Sequence, residues 1–221
     1  DGHCFAPRDD LLTTAADLLE VARAACEPQL DTLVQVGELI AEERELRITN
    51  QESANQRISE SSNESAIYLP PFLYAERGVA NKLRQLQESA RDRLAVFRDV
   101  EWDKAFDWLT ERNPIHLAEQ QQSAVRMALT EKVSILTGGP GTGKTTITRS
   151  IIQLLLAKRC SVLLCAPTGR AAKRLSEATG LEAKTIHRLL EVKPAEGFRF
   201  ARDQDNPLDA DMVIVDETSM V

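Results

Sequence analysis

At 221 residues, with 43% apolar and 28% charged residues, the chain has the composition of a soluble globular protein of one large or two small domains. Its most apolar stretch, residues 151–157, is too short to cross a bilayer and carries Gln153, which excludes a membrane span of the helical kind. A net charge of −7 excludes a chain that is basic throughout, and with no positive-then-apolar leader after Asp1 the expected location is cytoplasmic.

Residues 1–75 read as a small α+β module. A short strand is expected over residues 2–6, broken by Pro7. Leu11, Ala15, Leu18, Ala22 and Cys26 recur at helical spacing. Pro28 suits the first turn of a second helix, carrying Leu30, Leu33 and Val34, that Gly37 stops. Apolar pairs at Leu39-Ile40, Leu46 with Ile48, and residues 66–69 add a β-ribbon, so the module is expected to be winged-helix-like. The polar run 49–65 is expected to be a mobile wing tip. The second helix offers Glu27, Gln29, Asp31, Gln35 and Glu38 with no Lys or Arg. A phosphate backbone would be repelled by it, so packing on another part of the protein or on a partner is preferred to DNA reading.

Pro70-Pro71 marks a joint, and residues 76–113 read as a helical connector. Leu83, Leu86, Ala90, Leu94 and Phe97 share one stripe, and Trp102, Phe106 and Leu109 continue helical spacing to Asn113-Pro114. That buried-face spacing favours core packing over base stacking. A further helix spans 116–129. Its early glutamines can serve an adenine edge or simply a solvated helix start.

Residues 134–146 read as an apolar strand, a glycine-rich loop and a helix opening at Lys144. Gly138-x4-Gly143-Lys144-Thr145 fits the phosphate-binding P-loop at every fixed position. Glycines let successive N–H groups turn toward a phosphate where side chains would clash. Lys144 would reach the β- and γ-phosphates and the Thr145 hydroxyl would sit on Mg²⁺. Residues 161–166 form an unbroken apolar run of buried-strand type, followed by Pro167, Thr168, Gly169 and Arg170. Thr185 and His187 open a second basic helical piece. Residues 211–217 make a third apolar strand ending in Asp216 and Glu217, the pair that after a P-loop holds Mg²⁺ and polarises water.

Charge is uneven along the chain. Residues 1–130 hold 14 Lys and Arg against 23 Asp and Glu, whereas 144–193 hold 10 against 3. Such a run suits a phosphate track and equally suits solvated helix faces. Cys4, Cys26, Cys160 and Cys165 form no metal-ligand spacing and are expected to be buried thiols.

These strings resemble the first motor domain of a superfamily 1 DNA helicase of the RecD/TraA type. The matching residues are LAEQQ at 117–121, LTGGPGTGKTT at 136–146, CAPTGRAAKRL at 165–175, TIHRLL at 185–190 and VIVDETSM at 213–220. YLPPFLYAE at 68–76 is a weaker match to the region preceding the motor in longer RecD-like proteins. The resemblance implies a RecA-like α/β P-loop domain with a parallel sheet over 114–221. It implies ATP and Mg²⁺ as cofactors, held by Gln121 at the adenine and by Gly138, Gly139, Pro140, Gly141, Thr142, Gly143, Lys144, Thr145 and Thr146 at the phosphates. Thr145 and Asp216 fall to the metal, with Lys144 and Glu217 as catalytic groups. Pro167, Thr168, Gly169 and Arg170 fall where the family touches single-stranded DNA, and Thr185 and His187 echo a further DNA-contacting motif.

The implied activity is 5′→3′ ATP-dependent translocation on single-stranded DNA or single-strand/duplex junctions, alone or with recombination or repair subunits, and without a membrane. Ala118 departs from the pattern, since relatives often carry a capping serine there. The later motor motifs are also absent, as is the strand that in the family separates the P-loop strand from the one ending in Asp216. The expectation is therefore a piece of a larger enzyme, inactive by itself. The competing readings are a nucleotide-switched regulator and an interaction module with a vestigial P-loop. The chain lacks an Asn-Lys-x-Asp guanine-reading string, and its Gly, Lys, Thr and Asp-Glu set is intact.

Overall fold

A computed structural model describes residues 3–47, 61–112, 116–139, 141–193, 197 and 199–220. The chain divides into two compact units, Asp1–Gln85 and Leu86–Val221. No described helix is long and apolar enough to cross a membrane.

The first unit contains β1 (Phe5–Pro7), α1 (Arg8–Leu19), α2 (Arg23–Gln35), β2 (Ile40–Arg47), β3 (Ser61–Tyr68) and α3 (Pro70–Glu88). Its antiparallel sheet runs β1-β3-β2. The period of two along β3 sends Ile67 to a core with Leu12, Cys26 and Leu30, and sends Ala66 and Tyr68 to a core with Leu73. Helix, helix and ribbon occur in the expected order, forming a small α+β module.

Several local expectations are corrected. The stripe through residues 11–26 is two helices, because the chain turns at Glu20 with φ 54° and the Val21 N–H closes back on the Ala16 carbonyl. Leu18 is consequently 79% exposed while Cys26 is buried from α2. The second helix begins at Arg23, which places Pro28 in its interior, where it lacks the N–H that the Ala24 carbonyl would accept. Arg23 also ends the idea of a wholly negative helix, although its charge is spent on Asp9 and Glu27. β1 includes Pro7, and Pro70 opens α3, as suits a first helical residue. β3 starts at Ser61, inside the expected polar tip, because backbone pairing with residues 43–47 needs no apolar side chains. The rest of that tip lies outside the described residues.

The connector stripe does not persist either. α3 ends at Glu88, and Ser89 and Asp92 accept bonds from the N–H groups of Arg91 and Leu94. These local bonds compete with helix continuation. Phe97, in a 3-10 turn, is buried instead in the core of the second unit. The expected division at residue 75 falls inside α3.

The second unit holds α4 (Trp102–Arg112), α5 (Glu119–Thr130), α6 (Lys144–Ala157), β4 (Val162–Ala166), α7 (Gly169–Thr179), β5 (Ala183–Thr185), α8 (Ile186–Leu189), β6 (Val192–Lys193), β7 (Arg199–Phe200) and β8 (Met212–Val215). Three of the strands form a parallel sheet in the order β5-β4-β8, and β6 pairs with β7 as a separate ribbon. Ile147, Ile151, Leu154 and Leu155 of α6 enter the main core with Phe106, Leu109, Val125 and Leu129, packed against Val162, Met212 and Ile214. Ile152 packs with Leu164 and Leu175 on the neighbouring side of the helix. Only three residues, 158–160, separate α6 from the start of the Ser161 to Ala166 run, so α6 runs antiparallel to β4. Its N-terminus therefore lies at the edge where β4 and β8 end.

The P-loop strand is the main correction. Residues 134–139 form no ladder, and Ile135 is 79% exposed. A strand exists only through a partner's backbone, and none of the described strands pairs with this segment. The free edge of β8, with Val213 and Val215 exposed, is likewise unpaired among the described residues. In the 221-residue chain, Leu155→Ala should cost about 2–5 kcal/mol of unfolding free energy in a denaturant titration. Ile135→Ala, at an exposed and unpaired position, should stay within about 0.5 kcal/mol.

Candidate nucleotide site

The P-loop glycines are held by close contacts as well as by backbone conformation. Gly141 and Gly143 lie at φ 78° and 87°, the left-handed region that favours glycine. A Cβ on Gly143 would sit 2.5 Å from Gln121 Nε2, and one on Gly138 would sit 2.8 Å from Thr142 Oγ1. Gly139 is exposed, and Pro140 lies outside the described residues. Thr142 Oγ1 donates to the Gly139 carbonyl at 2.9 Å and tightens the turn.

Two side chains converge on this loop. The Lys144 ammonium, at the first residue of α6, donates to the carbonyls of Gly138 at 2.6 Å and Gly139 at 2.8 Å. Gln121 Nε2 donates to the Thr142 carbonyl at 3.1 Å, while its Oε1 accepts from the Ala118 N–H at 3.0 Å. That second bond is the half of a capping box available to an alanine N-cap. The lost serine at 118 is thus partly offset by Gln121. Thr145 is exposed on the first turn of α6, and Thr146 lines a cavity of about 30 Å³ together with Phe106, Leu117, Gln122 and Arg149.

The acids and the predicted DNA residues gather at the C-terminal edge of the parallel sheet, where ligands of open α/β sheets bind. Ala166 pairs with Thr185 on one side. On the other side the Asp216 N–H closes on the Cys165 carbonyl at 2.9 Å, the rung after Val215. Asp216 and Glu217 are both exposed there. Glu217 has φ 53°, a left-handed conformation costly for a non-glycine residue, and its N–H donates to Asp216 Oδ1 at 3.0 Å. Pro167 is half-buried beside this edge.

Beyond Pro167 the chain turns directly into α7, which starts at Gly169. Thr168 is its N-cap and accepts from the Ala171 N–H at 3.2 Å. Thr185 caps α8 in the same way, accepting from Arg188. Both hydroxyls keep their hydrogen free to donate to a phosphate. Arg170 is exposed on the first turn of α7. His187 is exposed with its ring 6.3 Å from that of Phe200, a contact between α8 and β7 that spacing could not show.

Burial raises the Cys160 thiol above its ordinary range, with Asp211 adding to the effect, and burial alone raises Cys165. Neither is a thiolate poised for metal or nucleophilic chemistry. Cys4 is exposed, against expectation, and all four cysteines are free. Sequence reasoning also missed Asp211. Its carboxylate accepts from both the N–H and the hydroxyl of Ser161, which together with Arg93 hold it below the usual carboxylate range.

A glycine-rich loop between a lysine-headed helix and a parallel sheet edge carrying Asp-Glu defines a P-loop nucleotide-binding domain. Residues 121–221 match the family described as AAA domain. The chain is similar along its whole length to the ATP-dependent RecD2 DNA helicase of Deinococcus radiodurans, at 33% identity, and spans 28% of that protein. It is also similar to the RecBCD enzyme subunit RecD of Mycolicibacterium smegmatis, with 43% identity over 47% of this chain and 23% of the relative. The ATP-dependent DNA helicase dda of Enterobacteria phage T4 matches at 39% identity over 47% of this chain and 26% of the relative. The chain is thus similar to a part of the RecD-type DNA helicases, spanning about a quarter of the length of these relatives.

Gly143→Ala, which combines positive φ with a clash on Gln121, should weaken nucleotide binding at least about tenfold. Gly141→Ala, with open space around its Cβ, should lose less. Titration with a fluorescent ATP analogue would rank the two.

Proposed function

We propose that the protein carrying this chain is an ATP-dependent DNA helicase that moves 5′→3′ along single-stranded DNA. The observation that carries the reading is the convergence of Lys144 and Gln121 on one glycine loop. A helix opening at Lys144 follows that loop, and Asp216 and Glu217 close the strand that pairs with β4.

In this reading the loop amides and the N-terminus of α6 bind the phosphates of ATP, and Lys144 exchanges its loop carbonyls for phosphate oxygens. Gln121 reads the adenine edge while tying that contact to Thr142. A hydroxyl from Thr145 and a carboxylate from Asp216 are hard oxygen donors of the kind Mg²⁺ takes. The ion's chemistry there is to neutralise charge as the γ-phosphate departs. Glu217, on its strained backbone, orients the attacking water and takes its proton. Thr168, Gly169 and Arg170, with Thr185 and His187, offer hydroxyl, amide and cationic groups to a single DNA strand along the same edge. Single-stranded DNA or a strand–duplex junction is the substrate, and subunits of a recombination or repair complex are the partners in keeping with the relatives.

In the full-length protein, Lys144→Ala should abolish Mg-ATP binding measured by calorimetry, and equal affinity in both proteins would remove the site. Single-stranded DNA should stimulate ATP hydrolysis severalfold. A flat titration would favour a nucleotide-switched regulator instead.

A further inference from the structure

A glycine at position 143 leaves the peptide between Thr142 and Gly143 free to turn over. Rotation about ψ of Thr142 and φ of Gly143 meets little resistance when the second residue has no Cβ. Yet Gly143 is the N-cap of α6, at φ 87° and ψ 19°. Its N–H is one of the donors that a phosphate in this loop would use. A contact is needed to choose the direction in which that N–H points.

Gln121 supplies it. Its Nε2 donates to the Thr142 carbonyl at 3.1 Å. In a planar trans peptide the carbonyl and the following N–H point to opposite sides. A carbonyl drawn toward α5 therefore turns the Gly143 N–H away from α5, where among the described residues it meets no acceptor. The glutamine is itself held at its other polar atom, since Oε1 accepts from the Ala118 N–H at 3.0 Å. It also stands close, with Nε2 2.5 Å from where a Cβ on residue 143 would lie. The Lys144 ammonium, by contrast, bonds the Gly138 and Gly139 carbonyls and must leave them to meet a phosphate. Gln121 has no such conflict. Its two bonds use one amide hydrogen and one lone pair, and a second of each stays available to a base.

We propose that Gln121 is a positioning residue for the phosphate loop: through the Thr142 carbonyl it sets the direction of the Gly143 N–H, and so supports phosphate binding whether or not the ligand carries a base. The proposal rests on the reading above in which this loop binds the phosphates of ATP. It gives Gln121 a second role, which a ligand without a base reveals.

The test uses the full-length protein with two ligands, Mg-ATP and magnesium tripolyphosphate. Affinities come from displacement of a fluorescent ATP analogue, and melting temperature is read alongside. Gln121→Met keeps the length of the side chain and removes its donor and acceptor without adding charge. It should weaken tripolyphosphate binding at least about fivefold, the effect of one lost hydrogen bond, and weaken ATP binding at least as much. If tripolyphosphate binds as in the wild type while ATP is lost, Gln121 reads only the base and the proposal is wrong. Adding Ala118→Ser to Gln121→Met restores a cap to α5 but not the bond to Thr142. Tripolyphosphate affinity should stay low there while the melting temperature recovers. A return of affinity would trace the loss to a loosened helix start and overturn the idea. Should Gln121→Met fail to fold, Gln121→Asn, one methylene shorter and unable to span Ala118 and Thr142, must show the same loss. Lys144→Ala separates the two layers. Unchanged tripolyphosphate affinity there overturns the phosphate reading and the positioning together, whereas a loss there with none in Gln121→Met overturns the positioning alone.

Discussion

The parallel ladder between β4 and β8 is the constraint on which the site depends. Its rungs run from the Ser161–Asp211 clasp to the bond between the Asp216 N–H and the Cys165 carbonyl. Because parallel strands end together, one ladder brings Pro167 and Thr168 to the same edge as Asp216 and Glu217. The short β5 adds Thr185 beside them. α6, returning antiparallel over the same strands, brings Lys144 and Thr145 to that edge as well. Two parallel strands that end together, and a helix that runs against them, turn sequence-distant motifs toward one edge.

The glycine loop shows a second kind of constraint, close approach. Gln121 and Gly143 are so near that the space of one methyl group is already taken by the glutamine's amide nitrogen. The residue assigned to the base and the loop assigned to the phosphates are therefore mechanically joined before any ligand is considered. Lys144 adds to this by satisfying two loop carbonyls with its own ammonium, which keeps the loop's shape while leaving a charge that a phosphate can claim.

The first unit plays by different rules. Several of its cations are paired with its acids, as Arg8 with Asp31 and Arg23 with Asp9 and Glu27. Exposed ion pairs of this sort contribute little stability, but they leave α2 without free cations to meet a nucleic acid backbone.

Where sequence and structure part, the reason is usually a partner that spacing cannot see. The apolar period from Leu11 to Cys26 runs through a chain reversal, because Glu20 takes a left-handed turn that no pattern of apolar residues records. The run before the P-loop has strand composition, yet residues 134–139 stay unpaired because strand character belongs to a pair of backbones. By contrast, the glycine-lysine-threonine spacing, the apolar runs closing at Ala166 and Val215, and the helix opening at Lys144 were legible from residues alone. Each is a local matter of backbone freedom, hydrophobic period and helix start. Tertiary structure alone decided that Gln121 bonds the loop at Thr142, that Ser161 meets Asp211 across 50 residues, and that Glu217 stands strained beside Asp216. Those contacts depend on how elements dock, and docking is set by the packing of whole faces, which no short stretch of sequence contains.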